Sequence, residues 1–166
     1  AILKELIKIL AENKIKVNNS NYFNPELSLK RGVYTKIKPN KKTLTQIKGG
    51  VKSFQKLNAY DHTQAIIVED NGSIHKETST GTKKMIELSN KKKNSYRILI
   101  KFPKKKQDLR ADLPTIGLET LKDCKKFNLK GIVLKSNQNI FLDQKKSIMF
   151  ANKNNIFIYV SWKKFL

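Results

Sequence analysis

Between Lys101 and Gly117 the chain reads KFPKKKQDLRADLPTIG, with four lysines, one arginine, two aspartates and two prolines in seventeen positions. Asp108 and Asp112 are the only acids in that stretch. Carboxylates set among cations and backbone donors are what a magnesium-dependent phosphoryl-transfer site needs. The same residues would also serve a solvated loop whose acids cap a helix. A spacing of four places both acids on one helical turn, whereas Pro114 could instead hold the segment extended, and the sequence leaves both open.

The elements around this loop are those that put chemistry at the end of a sheet. An apolar run, Ile98 to Ile100, enters it, and a helical pattern of Leu118, Leu121, Cys124 and Phe127 leaves it. Upstream, Leu44, Ile47, Val51, Phe54 and Leu57 mark an amphipathic helix. Gly49 and Gly50 inside it cost about 1 kcal/mol each relative to alanine, which points to close packing or close approach of a ligand. Ala65 to Val68 is a continuously apolar strand, and Asp70-Asn71-Gly72 turns it back into Ser73 to Thr78. Ser79 to Thr82 then opens a helix containing Met85, Ile86 and Leu88; hydroxyls and a glycine there make either an anion site or an ordinary cap. After a lysine-rich loop at 90–94, further strands are expected at Arg97–Phe102, Gly131–Leu134, Asn139–Leu142 and Ile156–Val160, with Asp143 capping a helix from Gln144 to Asn152. Strands alternating with helices indicate an α/β fold, a three-layer α/β/α sandwich, and the hairpin makes its central sheet mixed.

At the start, Ile2, Leu3, Leu6, Ile7 and Leu10 recur at helical spacing, and Lys14 to Val17 is strand-like. Residues 21–40 are polar and irregular, with Pro25, Gly32 and Pro39, and read as a linker to a domain spanning 41–166. The end, from Ser161 to Leu166, is aromatic and basic, suited to touching lipid or covering an apolar edge.

The formal charge of +22 suggests an anionic partner. Yet only Arg31, Arg97 and Arg110 are arginine, the residue preferred for bidentate recognition of phosphates and bases. The lysines are spread out, without interleaved aromatics for stacking, so nucleic acid is a disfavoured partner. A single cysteine, Cys124, rules out a disulfide within the chain and a cysteine-rich zinc site, and His62 and His75 are too scattered for one. Cys124 falls in an apolar helical pattern and reads as a buried thiol. No apolar run approaches the roughly 18 residues of a spanning helix, and AILKELIKIL lacks the features of a signal peptide. These features fit a cytoplasmic protein, with peripheral contact at an inner membrane and a homodimer both left open.

QDLRADLPTIG resembles the signature loop of the two-domain UDP-2,3-diacylglucosamine diphosphatases of lipid A biosynthesis. Gln64-Ala65 with the following Ile66 to Val68, Gly81-Thr82, Lys101 and Lys104, Gly131-Ile132 and Leu142-Asp143 extend the likeness, in order, from about Pro39 to Val160. The resemblance implies hydrolysis of the pyrophosphate of UDP-2,3-diacylglucosamine with Mg²⁺ or another divalent cation, releasing UMP and the diacylglucosamine 1-phosphate. It implies that Asp108, Arg110 and Asp112 are catalytic, one or both aspartates binding the metal or orienting the attacking water. Lys101, Lys104 and Arg110 would meet phosphate oxygens, Gly81 and Thr82 would supply donors, and Gln64 and Thr115 would hydrogen-bond nucleotide or sugar. It further implies that residues 1–20 are the last helix and strand of an N-terminal Rossmann-like domain. Three departures stand out. The family's Glu-Gly-Thr-Asp is here Thr80-Gly81-Thr82-Lys83, its Pro-Gly before Gln-Asp is Lys105-Lys106, and the glycine before Gln64 is Thr63. The loss of both acids raises the alternative of a non-catalytic relative on the same fold.

Overall fold

Burial on both faces organises the sheet. In the computed structural model, which describes residues 2–58, 63–89, 95–105 and 107–161, all five residues of β2 (Ala65–Glu69) are buried. So are the first four of β4 (Arg97–Lys101). These two strands pair antiparallel, Ala65 opposite Lys101 and Glu69 opposite Arg97. Together with β1 (Gly32–Val33), β3 (Ile74–Lys76), β6 (Leu129–Lys135) and β8 (Phe157–Ser161) they form a six-stranded sheet of order β1-β8-β6-β4-β2-β3. β4, β6 and β8 run parallel, while β1, β2 and β3 join antiparallel, so the sheet is mixed as expected.

Alternation sorts the strand side chains between two helical layers. Ile66, Val68, Ile98, Ile100, Val133 and Phe157 meet Ile47, Val51 and Phe54 of α3 (Lys41–Asn58). Ala65, Ile67, Leu99, Ile132 and Ile158 face the opposite side. There they meet α4 (Gly81–Leu88), α5 (Leu118–Lys126) and α6 (Gln144–Lys153) through Met85, Ile86, Leu121, Cys124 and Ala151. Among the described residues the architecture is therefore an α/β/α sandwich, with α3 on one face and α4, α5 and α6 on the other.

Gly50 accounts for the close approach of α3. A Cβ there would lie 2.6 Å from Val68 Cγ2 and 2.7 Å from Ile100 Cδ1, whereas one at Gly49 would meet nothing within 4 Å. Arg97, wholly buried, ties two helix ends together. It donates to Ser89 O (2.8 Å) at the end of α4 and to Phe127 O at the end of α5, the usual place for a cation. Burial pulls its pKa down, and Glu69 nearby pulls it up.

Several local expectations are corrected. Lys14–Val17 is not a strand; α1 (Ile2–Glu12) ends in a turn where Lys14 takes φ 60°. The stretch 21–40, expected to be irregular, contains the end of the short α2 (Ser20–Phe23), a 3₁₀ turn at Pro25–Leu27 and the edge strand β1. Leu29 from the same stretch is buried in the core. Asp143 precedes α6 but sits in the left-handed region at φ 48°, and its side chain caps no N–H. Asn139–Leu142 yields only β7 (Ile140–Phe141), which pairs with β5 (Thr115–Ile116) in a separate two-stranded ladder. The lysine-rich loop at 90–94 and the tail beyond Ser161 lie outside the described residues. Among the described residues no helix is long and apolar enough to cross a membrane.

Candidate functional site

The parallel strands β4, β6 and β8 end on one rim of the sheet, where ligands collect in open α/β folds. Lys101 is the last residue of β4 and points to the same face as Leu99, toward α4. Its ammonium donates to Thr82 Oγ1 at 3.0 Å, and that hydroxyl donates to Glu77 Oε1 at 2.6 Å. Burial pulls the Lys101 pKa down, and the Glu77 charge offsets part of that. Two N–H groups of the ammonium remain for a ligand.

Beside this group, Gln64 lies just ahead of β2, at the same rim as Lys101. Gln64 Nε2 donates to Gln107 Oε1 (3.2 Å), which also accepts from the Lys104 backbone N–H (2.8 Å). Gln107 thereby folds the start of the signature loop back over the rim. Asn139, 2% exposed, holds the other side: its Nδ2 donates to Lys101 O (3.0 Å) and its Oδ1 accepts from the Lys135 N–H (2.9 Å).

The second half of the loop resolves the question left by the Asp108–Asp112 spacing. Asp112 N–H donates to Asp108 O at 2.9 Å, so residues 108–112 form a single helical turn. Arg110 doubles back on Asp108 with two bonds, Nε to Oδ1 at 3.0 Å and Nη2 to Oδ2 at 2.7 Å. These hydrogen bonds, with a third from the Arg110 backbone N–H, hold the Asp108 carboxyl at about 2, below the usual carboxylate range. Asp112 is exposed, and among the described residues its side chain makes no hydrogen bond or ion pair. Leu109 O accepts from Asn19 Nδ2 (2.7 Å), which anchors this turn against the segment following α1.

The structure thus joins Lys101 with Thr82 directly, and Gln64 with Lys104 through Gln107. It places Asp108, Arg110 and Asp112 in a neighbouring turn, with no hydrogen bond or ion pair from them to the Lys101–Thr82 group among the described residues. Gly81 does not offer its N–H outward: it donates to Thr78 O at 3.1 Å, and its φ of +85° suits a glycine. Thr115 starts β5, its hydroxyl donates to Leu113 O (3.4 Å), and it does not join the group. Glu77, Gln107 and Asn139 were not singled out from the sequence. Glu77 was within reach: the Asn71-Gly72 turn fixes Lys76 opposite Ile66, which brings the Glu77 N–H to Ala65 O (3.0 Å), beside Gln64. Asn139 carries no such signal.

Among the described residues no three His, Cys, Asp or Glu side chains stand together to hold a metal ion. Both Asp108 oxygens are engaged by Arg110, and Asp112 stands apart on the surface. The described residues do not fit a pre-built divalent-cation centre.

A mixed α/β/α sandwich with a half-buried lysine and a basic loop on its carboxyl rim is a fold equipped to receive an anion. The family described as the LpxI C-terminal domain matches residues 30–159, and the chain belongs to that family. The chain is also similar to the UDP-2,3-diacylglucosamine pyrophosphatase LpxI of Caulobacter vibrioides, at 22% identity over 95% of its own length. It spans 59% of the length of that relative.

Proposed function

We propose that this domain serves hydrolysis of the pyrophosphate bond of UDP-2,3-diacylglucosamine in lipid A biosynthesis, giving UMP and 2,3-diacylglucosamine 1-phosphate. The observation that carries the reading is the Lys101–Thr82–Glu77 chain at the rim, within a chain of this family. A partly buried, oriented ammonium such as that of Lys101 stabilises charge on a phosphoryl oxygen better than a fully solvated one does. Water adds across the bond: its oxygen forms a new bond to one phosphorus as the bridging P–O bond breaks, and its proton must leave. Asp112, with no partner of its own among the described residues, is the carboxylate suited to orient that water. Asp108 is the positioning residue that holds Arg110. A divalent cation would offset charge on the diphosphate, and Asp112 is the carboxylate that would meet it. The substrate is a lipid, so the domain works from the aqueous side of a membrane surface.

The test is release of UMP from UDP-2,3-diacylglucosamine with Mg²⁺, in a longer protein in which this domain is joined to the remainder found in the relative. Lys101→Met and Asp112→Asn are expected to reduce kcat by about 100-fold or more, as for other removals of groups that meet developing charge. Turnover that survives both changes would overturn the reading. Thr80 and Lys83, standing where the resembled family has acids, favour a second reading: a non-catalytic relative. That reading is supported by ligand binding without any turnover in the same protein.

A further inference from the structure

β4 leaves the sheet before its neighbour does: its last pair with β6 is Lys101 with Leu134, and β6 runs on to Lys135. The Lys101 C=O and the Lys135 N–H thus stand at the end of that ladder, where the signature loop departs. The Asn139 carboxamide takes up both. Its Oδ1 accepts from the Lys135 N–H at 2.9 Å, and its Nδ2 donates to Lys101 O at 3.0 Å. The same Nδ2 donates to Pro114 O at 3.4 Å, a carbonyl that also accepts from the Ile140 N–H at 3.0 Å. One N–H and two carbonyls around it leave the carboxamide a single orientation, since the flipped one would set its oxygen against both carbonyls. Asn139 is buried, and buried main-chain groups without partners are costly.

These bonds join two ladders that carry different parts of the proposed chemistry. Lys101 closes β4 of the six-stranded sheet. Pro114 leads into β5, which pairs with β7 in the separate two-stranded ladder, and Asp112 stands just ahead of it. The ammonium and the carboxylate therefore sit toward opposite ends of one loop, and Asn139 is bonded to the main chain at both ends. All three of its bonds go to main-chain atoms, so it acts on the site only through where it holds those ends.

We propose that Asn139 is a positioning residue for the hydrolysis, setting the separation of the Lys101 ammonium and the Asp112 carboxylate by fastening both ends of the signature loop to the turn after β6. The assignment rests on the hydrolase reading for the chemistry, and on the three bonds of the carboxamide alone for the fastening. A displacement of about 1 Å caused far from the reacting atoms can cost about 100-fold in rate. An aspartate at this position cannot substitute at neutral pH: its carboxylate accepts from the Lys135 N–H but faces both carbonyls with no proton to give. Once protonated, it donates to one of them again.

Asn139→Ala and Asn139→Asp, made in the longer protein and in the 166-residue chain, test it. In the longer protein, Asn139→Ala is expected to lower kcat for UMP release by about 100-fold per folded molecule, with KM within about twofold of the wild type. Asn139→Asp should fall as far at about pH 8 and recover by about tenfold, relative to the wild type, on lowering to about pH 5. Burial raises the pKa of the introduced carboxyl, and its neutral form is the donor; Asn139→Ala has no such recovery. In the 166-residue chain, amide exchange at Ile140 and Leu142, bonded to Pro114 O and Ile116 O, should quicken in Asn139→Ala by about tenfold or more beyond any change at Ile132. Unchanged kcat per folded molecule, a loss confined to KM, or one pH profile shared by both variants overturns the assignment and leaves the hydrolase reading standing. No turnover by the wild type removes the hydrolase reading, and the positioning role with it. The exchange then decides the fastening alone, and unmoved Ile140 and Leu142 amides overturn that too.

Discussion

Thr82 works in two directions at once, accepting from Lys101 and donating to Glu77, so the hydroxyl sets the position of an ammonium whose pKa burial pulls down and Glu77 pulls up. Glu77→Gln removes the charge that holds the Lys101 pKa up. Lys101 in that variant is expected to titrate lower than in the wild type, read from the pH dependence of its side-chain NMR signal; an unchanged titration would show that Glu77 does not act on it. Asp108 supplies an opposite case. Its folded pKa of about 2 lies below the usual carboxylate value near 4, so the stabilisation it gives is complete above that value. The stabilisation is lost as pH falls from about 4 through about 2. Carboxyl NMR should give a midpoint near the lower value, and Arg110→Ala should move it up toward the ordinary one. Cys124 is predicted to stay silent toward thiol reagents in the native state, since complete burial, with Asp123 nearby, pushes its pKa up.

Among the elements, α3 carries the sharpest contrast, because its two adjacent glycines do different jobs. Gly50 lets the helix press onto Val68 and Ile100, and Gly50→Ala is expected to destabilise by about 1–3 kcal/mol through overpacking. Gly49 faces open space, and Gly49→Ala should stabilise by up to about 1 kcal/mol, the helix-propensity difference. Chemical denaturation of the two variants checks both signs. The amphipathic pattern of α3 was legible because Ile47, Val51 and Phe54 recur on one face. The β2–β3 hairpin was legible because Asn71-Gly72 is a local signal. β1 was not, since nothing in Gly32–Val33 marks a strand; it is held by Val160 and Tyr159, far along the chain. Asp143 misled because its residue type suits a cap while its backbone is set by the passage from β7 into α6. At the site, Lys101, Lys104, Gln64 and Thr82 came from the resemblance and Glu77 follows from the register of the β2–β3 hairpin, whereas Asn139 is seen only in the folded chain.

For the whole molecule, a charge of +22 on 166 residues means that the folded state repels itself. Salt screens that repulsion, with a Debye length of about 8 Å at physiological ionic strength. The thermal midpoint is expected to rise as NaCl goes from millimolar to about 0.15 M, in a buffer free of phosphate. A flat or falling midpoint would show that the lysines are already neutralised within the fold.

The sheet also has consequences at its margins. One border is the two-residue β1 and the other the three-residue β3, which ends in Lys76. So little free main chain, beside so much like charge, gives a second molecule almost nothing to zip onto. Concentrated solutions should therefore stay clear of fibrils, and any assembly this domain enters must be built through its helices and loops.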